Sequence, residues 1–167
     1  VAVVETYGTG AVFTDLGDVV NRKTYVLDAE NRTAAYAAPA EDGSVISGNT
    51  LYDYVGTQVV YNVPEEVTAV APGAGVFNPH VRYVVFGDNV TEIGDYAFFN
   101  GNVFGVIFGT GIENIGDFAF GNNSYMTEIV FLGETAPKMV GAGAFCYLSE
   151  TGFIPVTYMT DSYEPAL

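Results

Sequence analysis

The chain offers few side chains able to do chemistry. His80, in Asn78-Pro79-His80-Val81, is the one histidine, and Cys146 is the one cysteine. A histidine base needs a nucleophile within hydrogen-bond reach and an acid that orients it. No protease signature surrounds either residue. The sequence leaves a Cys/His pair open, beside the simpler reading of a surface-loop histidine and a cysteine packed next to Phe145 as a small hydrophobe. Carboxylates offer a second chemistry. Glu65-Glu66, Glu92 with Asp95, and Glu113 with Asp117 have the make-up of glycosidase acid/base pairs. Twenty Asp and Glu residues generate such pairs by chance, and these ones recur with a repeat, so solvated faces and turn caps are the expectation. One cysteine rules out a CxxC-type metal site, and no Asp-x-Asp-x-Asp-Gly calcium loop, phosphate loop, HExxH or GxSxG motif occurs. The reading is a chain with no catalytic residue, no metal and no cofactor.

Charge narrows the partners. Five basic residues against twenty acidic ones give a formal charge of −15, which repels nucleic-acid backbones and anionic membranes. No run of about 18 apolar residues is present to insert into a bilayer. The chain opens at Val1-Ala2-Val3-Val4 without a charged leader, which fits either a protein with no signal peptide or, the expectation here, a sequence that starts after one.

The elements that position these residues come from a repeat. Val90-Thr91-Glu92-Ile93-Gly94-Asp95-Tyr96-Ala97-Phe98 returns in tandem as Ile112 to Phe120, with Ile-Gly-Asp-x-Ala-Phe kept. Tyr61, Val84, Val106 and Ile129 form a first inward strand column at a near-constant step, and Val63, Phe86, Phe108 and Phe131 a second. The two columns are offset by the strand period, so both face one side. Val67, Val90 and Ile112 follow, then Val70, Ile93, Ile115 and Val140, and Phe77, Phe98, Phe120 and Phe145 close the units. Small Ala97, Ala119 and Ala144 beside those rings predict an aromatic ladder along the axis. Gly87, Asn89, Gly94, Gly109, Gly111 and Gly116 are assigned to positive-φ corners, and Asp95 and Asp117 to the caps of single helical turns. Upstream, Lys23–Leu27 and Arg32–Tyr36 read as two strands joined by a polar turn, with Val45-Ile46 and Leu51–Val55 as further strands. The expected organisation is an N-terminal β cap over 1–58, repeats over 59–153, and a closing strand and tail over 154–167.

The Ile93-Gly94-Asp95-Tyr96-Ala97-Phe98 segment resembles the signature of BspA-like leucine-rich repeat proteins. Tyr61 to Val70 resembles that family's strand-Pro-turn segment, and Val156 to Tyr163 its closing segment, so the resemblance covers most of the chain after Val60. It implies a mainly β, right-handed leucine-rich-repeat solenoid of about four repeats, each roughly 22–25 residues long, with an antiparallel N-terminal cap. It also implies an extracellular or bacterial cell-surface location and adhesion to, or recognition of, host or bacterial surface proteins or glycans.

If Val84 and Phe86 face the core, Tyr83 and Val85 face away. Tyr83, Val85, Ile107, Glu128 and Val130 are therefore the expected ligand-binding row, with an exposed apolar stripe marking an interaction surface. Two other functions stand beside this one: a structural spacer in a larger surface protein, whose stripe would be covered, and a carboxylate-dependent glycoside hydrolase, which would need a deep cleft.

Overall fold

The computed structural model describes residues 4–7, 11–14, 22–28, 30, 33–146 and 157–158. Parts of the expected 28–31 turn, and most of the closing segment after 146, lie outside them. All regular structure among the described residues is strand. An antiparallel sheet comes first: β1 (Val4–Tyr7), β2 (Ala11–Thr14), β3 (Lys23–Asp28) and β4 (Thr33–Ala37), paired in that order. The hairpin of β5 (Ser44–Ser47) and β6 (Thr50–Tyr54) follows, and β6 then pairs in parallel with the short strand Ala69–Val70.

From here the chain winds, and each turn adds one strand to each of two parallel sheets. One holds β7 (Val60–Asn62), β9 (Tyr83–Val85), β11 (Gly105–Phe108), β13 (Glu128–Phe131) and β15 (Thr157–Tyr158). The other adds β8 (Ala69–Val70), β10 (Glu92–Ile93), β12 (Asn114–Ile115) and β14 (Met139–Val140) to the hairpin. This is a β-solenoid of about four turns with the antiparallel sheet at its N-terminal end. The registers Tyr61–Val84–Val106–Ile129 and Val70–Ile93–Ile115–Val140 are those the apolar spacing predicts, and Leu51 of the hairpin extends the second.

The core is built on two columns of phenylalanine. Phe86, Phe108 and Phe131 stack at centroid separations of 5.4 and 4.9 Å. Phe98, Phe120 and Phe145 stack at 5.6 Å each. The columns meet edge-to-face, with Phe108 5.7 Å from Phe120 at 81°, a geometry that sets the positive ring edge against the negative face. The second column does not begin at Phe77 as the sequence predicts. Gly75 donates its N–H to Ala97 O just as Phe98 donates to Ala119 O and Phe120 to Ala144 O. Gly75 is thus the equivalent of Phe98, and a Cβ there would press on the Phe98 ring. Phe77 instead matches Asn100 and Asn122, all three with left-handed backbone at φ of 58, 54 and 59.

The glycines and aspartates of the repeat also do something other than expected. Gly94 and Gly116 are absent from the positive-φ set, as are Gly87, Gly109 and Gly111. What Gly94 and Gly116 allow is close approach: a Cβ on Gly94 would lie 2.5 Å from Pro72 N, and one on Gly116 2.5 Å from Asp95 N, both on the preceding coil. The aspartates cap no helical turn of their own. Asp95 Oδ1 accepts the N–H of Asp117 at 2.8 Å, and Asp117 Oδ1 that of Ala142 at 2.7 Å, one coil further on. Pro72 fills this position in the first coil and has no N–H to satisfy, so the series starts at Asp95. Asp88 repeats the device at another corner by accepting the Thr110 N–H at 2.7 Å, which lowers its pKa below the ordinary aspartate value.

Just after the Asp position of each unit (Pro72, Asp95, Asp117 and Ala142) the backbone turns left-handed, at Gly73, Tyr96, Phe118 and Gly143, with φ of 73, 56, 51 and 62. That conformation costs a non-glycine residue on the order of 1–2 kcal/mol.

A buried polar cluster fastens the antiparallel sheet to the solenoid. Arg22 forms a two-pronged ion pair with Asp53, its Nε donating to Oδ2 at 2.9 Å, and Arg22 Nη1 donates to Val76 O at 3.0 Å. Thr24 Oγ1 and the Tyr54 N–H also donate to the Asp53 carboxylate, at 2.6 and 2.8 Å. Burial raises the Asp53 pKa, while Arg22 and these donors pull it back down. Beside the cluster Tyr54 and Tyr61 stack at 3.6 Å, and burial pushes both hydroxyls up even though Tyr61 shares a 2.7 Å hydrogen bond with Ser44.

These contacts set the cost of disturbing them. Gly116→Ala forces the Asp95 backbone aside and is expected to lower unfolding free energy by about 1–3 kcal/mol. Gly87→Ala, with open space around it, should stay within about 0.5 kcal/mol; urea denaturation of the two variants measures the contrast. Arg22→Met strands a buried carboxylate and should cost about 3–5 kcal/mol, most of it restored when Asp53→Leu is added, as read by thermal melts of the single and double variants.

Candidate functional site

The expected row exists as a register. Along the first parallel sheet, Val60, Tyr83, Gly105 and Glu128 align on the side away from the core, and Asn62, Val85, Ile107 and Val130 align next to them. Their exposure is graded. Glu128 is exposed, Tyr83, Val85 and Ile107 are half-buried, and Val130 is only 7% exposed. The ring of Tyr83 lies down across Gly105, where a Cβ would sit 2.7 Å from Cε1 and 3.4 Å from Glu128 Oε2. Gly105 therefore lets Tyr83 bridge towards Glu128.

One residue before these strands lies a group that sequence reasoning missed. Arg82 sits 5.5 Å over the centre of the Phe104 ring, and Phe104 packs at 5.6 Å against Tyr125, which is 60% exposed. Arg82 Nη1 donates to Pro79 O at 2.7 Å. A signal for it was present: Arg82 and Phe104 hold equivalent places in successive repeats, each next to the first strand position. Together these residues make an apolar floor edged by one cation–π pair and one carboxylate, suited to a partner presenting both apolar and polar groups.

The opposite sheet carries a groove of about 480 Å³. Its outward row runs Thr50, Ala69, Glu92, Asn114, Met139 in register. Gly94 and Gly116 line it without side chains, and Tyr52, Pro72 and Asp95 contribute to its walls.

The candidate catalytic pairs are placed as follows. Glu65 and Glu66 are exposed in the corner after β7. Glu92 and Asp95 line the groove, with one Asp95 oxygen occupied by the Asp117 amide. Glu113 pairs with Lys138 at 2.8 Å, and Asp117 holds the Ala142 amide. The His80 backbone N–H donates to Asn78 Oδ1 at 2.9 Å in a loop after the first unit. Cys146, half-buried, ends the last unit beside Gly143. Among the described residues, no group of three His, Cys, Asp or Glu residues is spaced to hold a metal. The groups whose ionisation burial disturbs do not line the groove: Asp53 is held by Arg22 and Thr24, and Tyr54 and Tyr61 stack on each other beside Ser44. No helix among the described residues is long and apolar enough to cross a membrane.

Residues 57–158 match the sequence profile described as BspA type Leucine rich repeat region (6 copies). No curated protein matches the sequence. Among solved structures, the leucine-rich repeat protein of T. pallidum aligns at 18% identity and a TM-score of 0.40, over 73% of this chain and 63% of that one. A leucine rich cell surface protein of Faecalibacterium prausnitzii A2-165 aligns at 17% identity and a TM-score of 0.41, over 84% and 38%. The chain thus spans less than two thirds of the length of either protein.

Proposed function

The chain belongs to the BspA-type leucine-rich repeat family, and from that premise we propose that it is a non-enzymatic, extracellular or cell-surface binding module. It recognises a surface protein or glycan through the outward face of its first parallel sheet. The observation that carries this reading is the aligned row of Tyr83, Val85, Ile107 and Glu128, flanked by Arg82, Phe104 and Tyr125. Aromatic and arginine side chains grouped around an apolar centre are the chemistry of interaction hot spots. Val130 shares the outward register but is nearly buried, and the proposed contact set does not include it. The division into a cap over 1–58, repeats over 59–153 and a closing segment over 154–167 belongs to the same proposal.

A second reading, a structural spacer in a larger surface protein, draws on β14, the end strand of its sheet among the described residues. There Val140 occupies the inward column yet is 49% exposed, an apolar position that a further packed layer would cover.

The test is a panel of matrix proteins and glycans screened against the chain and against Val85→Glu and Ile107→Glu, each placing a charge at a half-buried outward position. The expected outcome is at least about a tenfold loss of binding with the thermal midpoint little changed, the size a desolvated charge at a hot spot produces. Binding that both variants retain in full would move the site off this face. A chain that binds nothing on the panel would favour the spacer.

A further inference from the structure

The left-handed position that follows Pro72, Asp95, Asp117 and Ala142 in successive units is filled in two different ways. The first and fourth units use glycine, at Gly73 and Gly143, whereas the second and third use Tyr96 and Phe118. Backbone bonding ties the positions together: Gly73 N–H donates to Asp95 O, Tyr96 N–H to Asp117 O, and Phe118 N–H to Ala142 O. Glycine meets the backbone requirement without strain, and the chain itself uses it twice. A bulky residue in this conformation is a genuine outlier.

The two rings lie outside the buried core. Tyr96 and Phe118 stack at 5.4 Å and 15°, with Phe99 edge-on to Tyr96 at 5.4 Å. On the C-terminal side Phe118 lies against Gly143, where a Cβ would be 2.6 Å from Cε1. On the N-terminal side Gly73 contributes no side chain to continue the stack, and Tyr96 is 40% exposed. The column therefore ends with an aromatic side chain open to solvent.

Its surroundings select for charge. Asp95 and Asp117 immediately precede the rings and are exposed, each with Oδ1 tied to the next coil's amide. The whole chain carries a formal −15, a field that draws cations in from a distance. An exposed aromatic face in so negative a field is a seat for an ammonium or guanidinium group. The same pairing is already made within the chain, where Arg82 sits over Phe104.

We propose that the Tyr96–Phe118 stack docks a lysine or arginine side chain of a basic protein segment, the cation capping the exposed Tyr96 ring. This surface is formed by the turns after the second sheet's strands and is separate from the strand row, so the two proposals stand or fall independently.

The chain provides its own control, since Tyr96→Gly and Phe118→Gly install what units one and four already carry. The probe is an acetylated, amidated Gly-Arg-Gly-Arg-Gly peptide, titrated into the full chain with aromatic ring signals followed by NMR. The peptide is expected to shift the Tyr96 and Phe118 signals, with affinity falling as salt is raised. The double glycine variant should lose about tenfold or more of that affinity while its thermal midpoint holds or rises, and Tyr96→Phe should keep most of it. Equal binding to the double variant, or no binding to the parent chain, would overturn the proposal. So would ring shifts driven by a neutral N-acetylglucosamine oligomer with none from the peptide, which would make the stack a sugar platform instead.

Discussion

The spacing between successive coils is the constraint on which the rest of the molecule depends. Strands paired in parallel lie roughly 4.8 Å apart, and here the turns must keep that spacing too, because each coil is bonded to the next at its corners as well as along its strands. Where backbone meets backbone there is no room for a side chain, hence Gly94, Gly116 and Gly141 at one corner. Where side chains face each other along the axis, flat rings suit the repeat, and the core phenylalanines stack at 4.9 to 5.6 Å. The Gly-Asp pair is one solution to one problem: glycine opens the space and the preceding coil's aspartate fills it with an acceptor. A buried or crowded amide left without a partner would otherwise cost on the order of 1–3 kcal/mol.

A repeating solution fails at the ends, and the first unit shows how this chain copes. Pro72 replaces the aspartate position and removes the donor that would need an acceptor. Gly75 replaces phenylalanine and yields its volume to the Phe98 ring. The N-terminal sheet is then locked on through Arg22 and Asp53. A buried ion pair is poor evidence of net stability, because desolvating two charges cancels much of their attraction. Its stronger effect is on register: four donor–acceptor contacts from Arg22 and Thr24 converging on Asp53 and Val76 O fit one docking position of the antiparallel sheet and penalise others.

Much of this architecture is legible in the amino-acid order, and the parts that are not have a common cause. The strand columns read directly because Tyr61, Val84, Val106 and Ile129 keep one chemistry at a near-constant step. Burial of a side chain is a property that a residue announces by itself. What Asp95 or Gly116 does depends on a residue one whole repeat away, so local reasoning assigned them to a helical cap and a positive-φ corner. Phe77 misled for a related reason: it has the right chemistry just past the equivalent site, and only the hydrogen-bond ladder identifies Gly75 as the match. Asp53 carried a usable signal. It shares the inward side of its strand with Leu51 by the strand period, and an inward carboxylate calls for a basic partner. The outward row was legible as an alignment, whereas the graded exposure from Glu128 to Val130 depends on packing that no strand period encodes.

The same constraint indicates where binding can reside. Inward positions keep their type from coil to coil because the stack fixes volume and shape, so Val84, Val106 and Ile129 are not free to carry recognition. One outward row changes at every coil, Val60, Tyr83, Gly105 and Glu128 sharing a register and no chemistry, while the row beside it stays aliphatic at Val85, Ile107 and Val130. The left-handed corner is the sharper case, since there the fold states its requirement openly. Backbone geometry asks for glycine, and two of four units comply. Tyr96 and Phe118 recover part of their strain by stacking on each other, worth about 0.5–1.5 kcal/mol for such a pair, but that leaves them no better than the glycines they stand in for. An aromatic stack that ends on an exposed Tyr96 ring, where glycine would meet the backbone requirement, is better accounted for by what it meets than by what it supports.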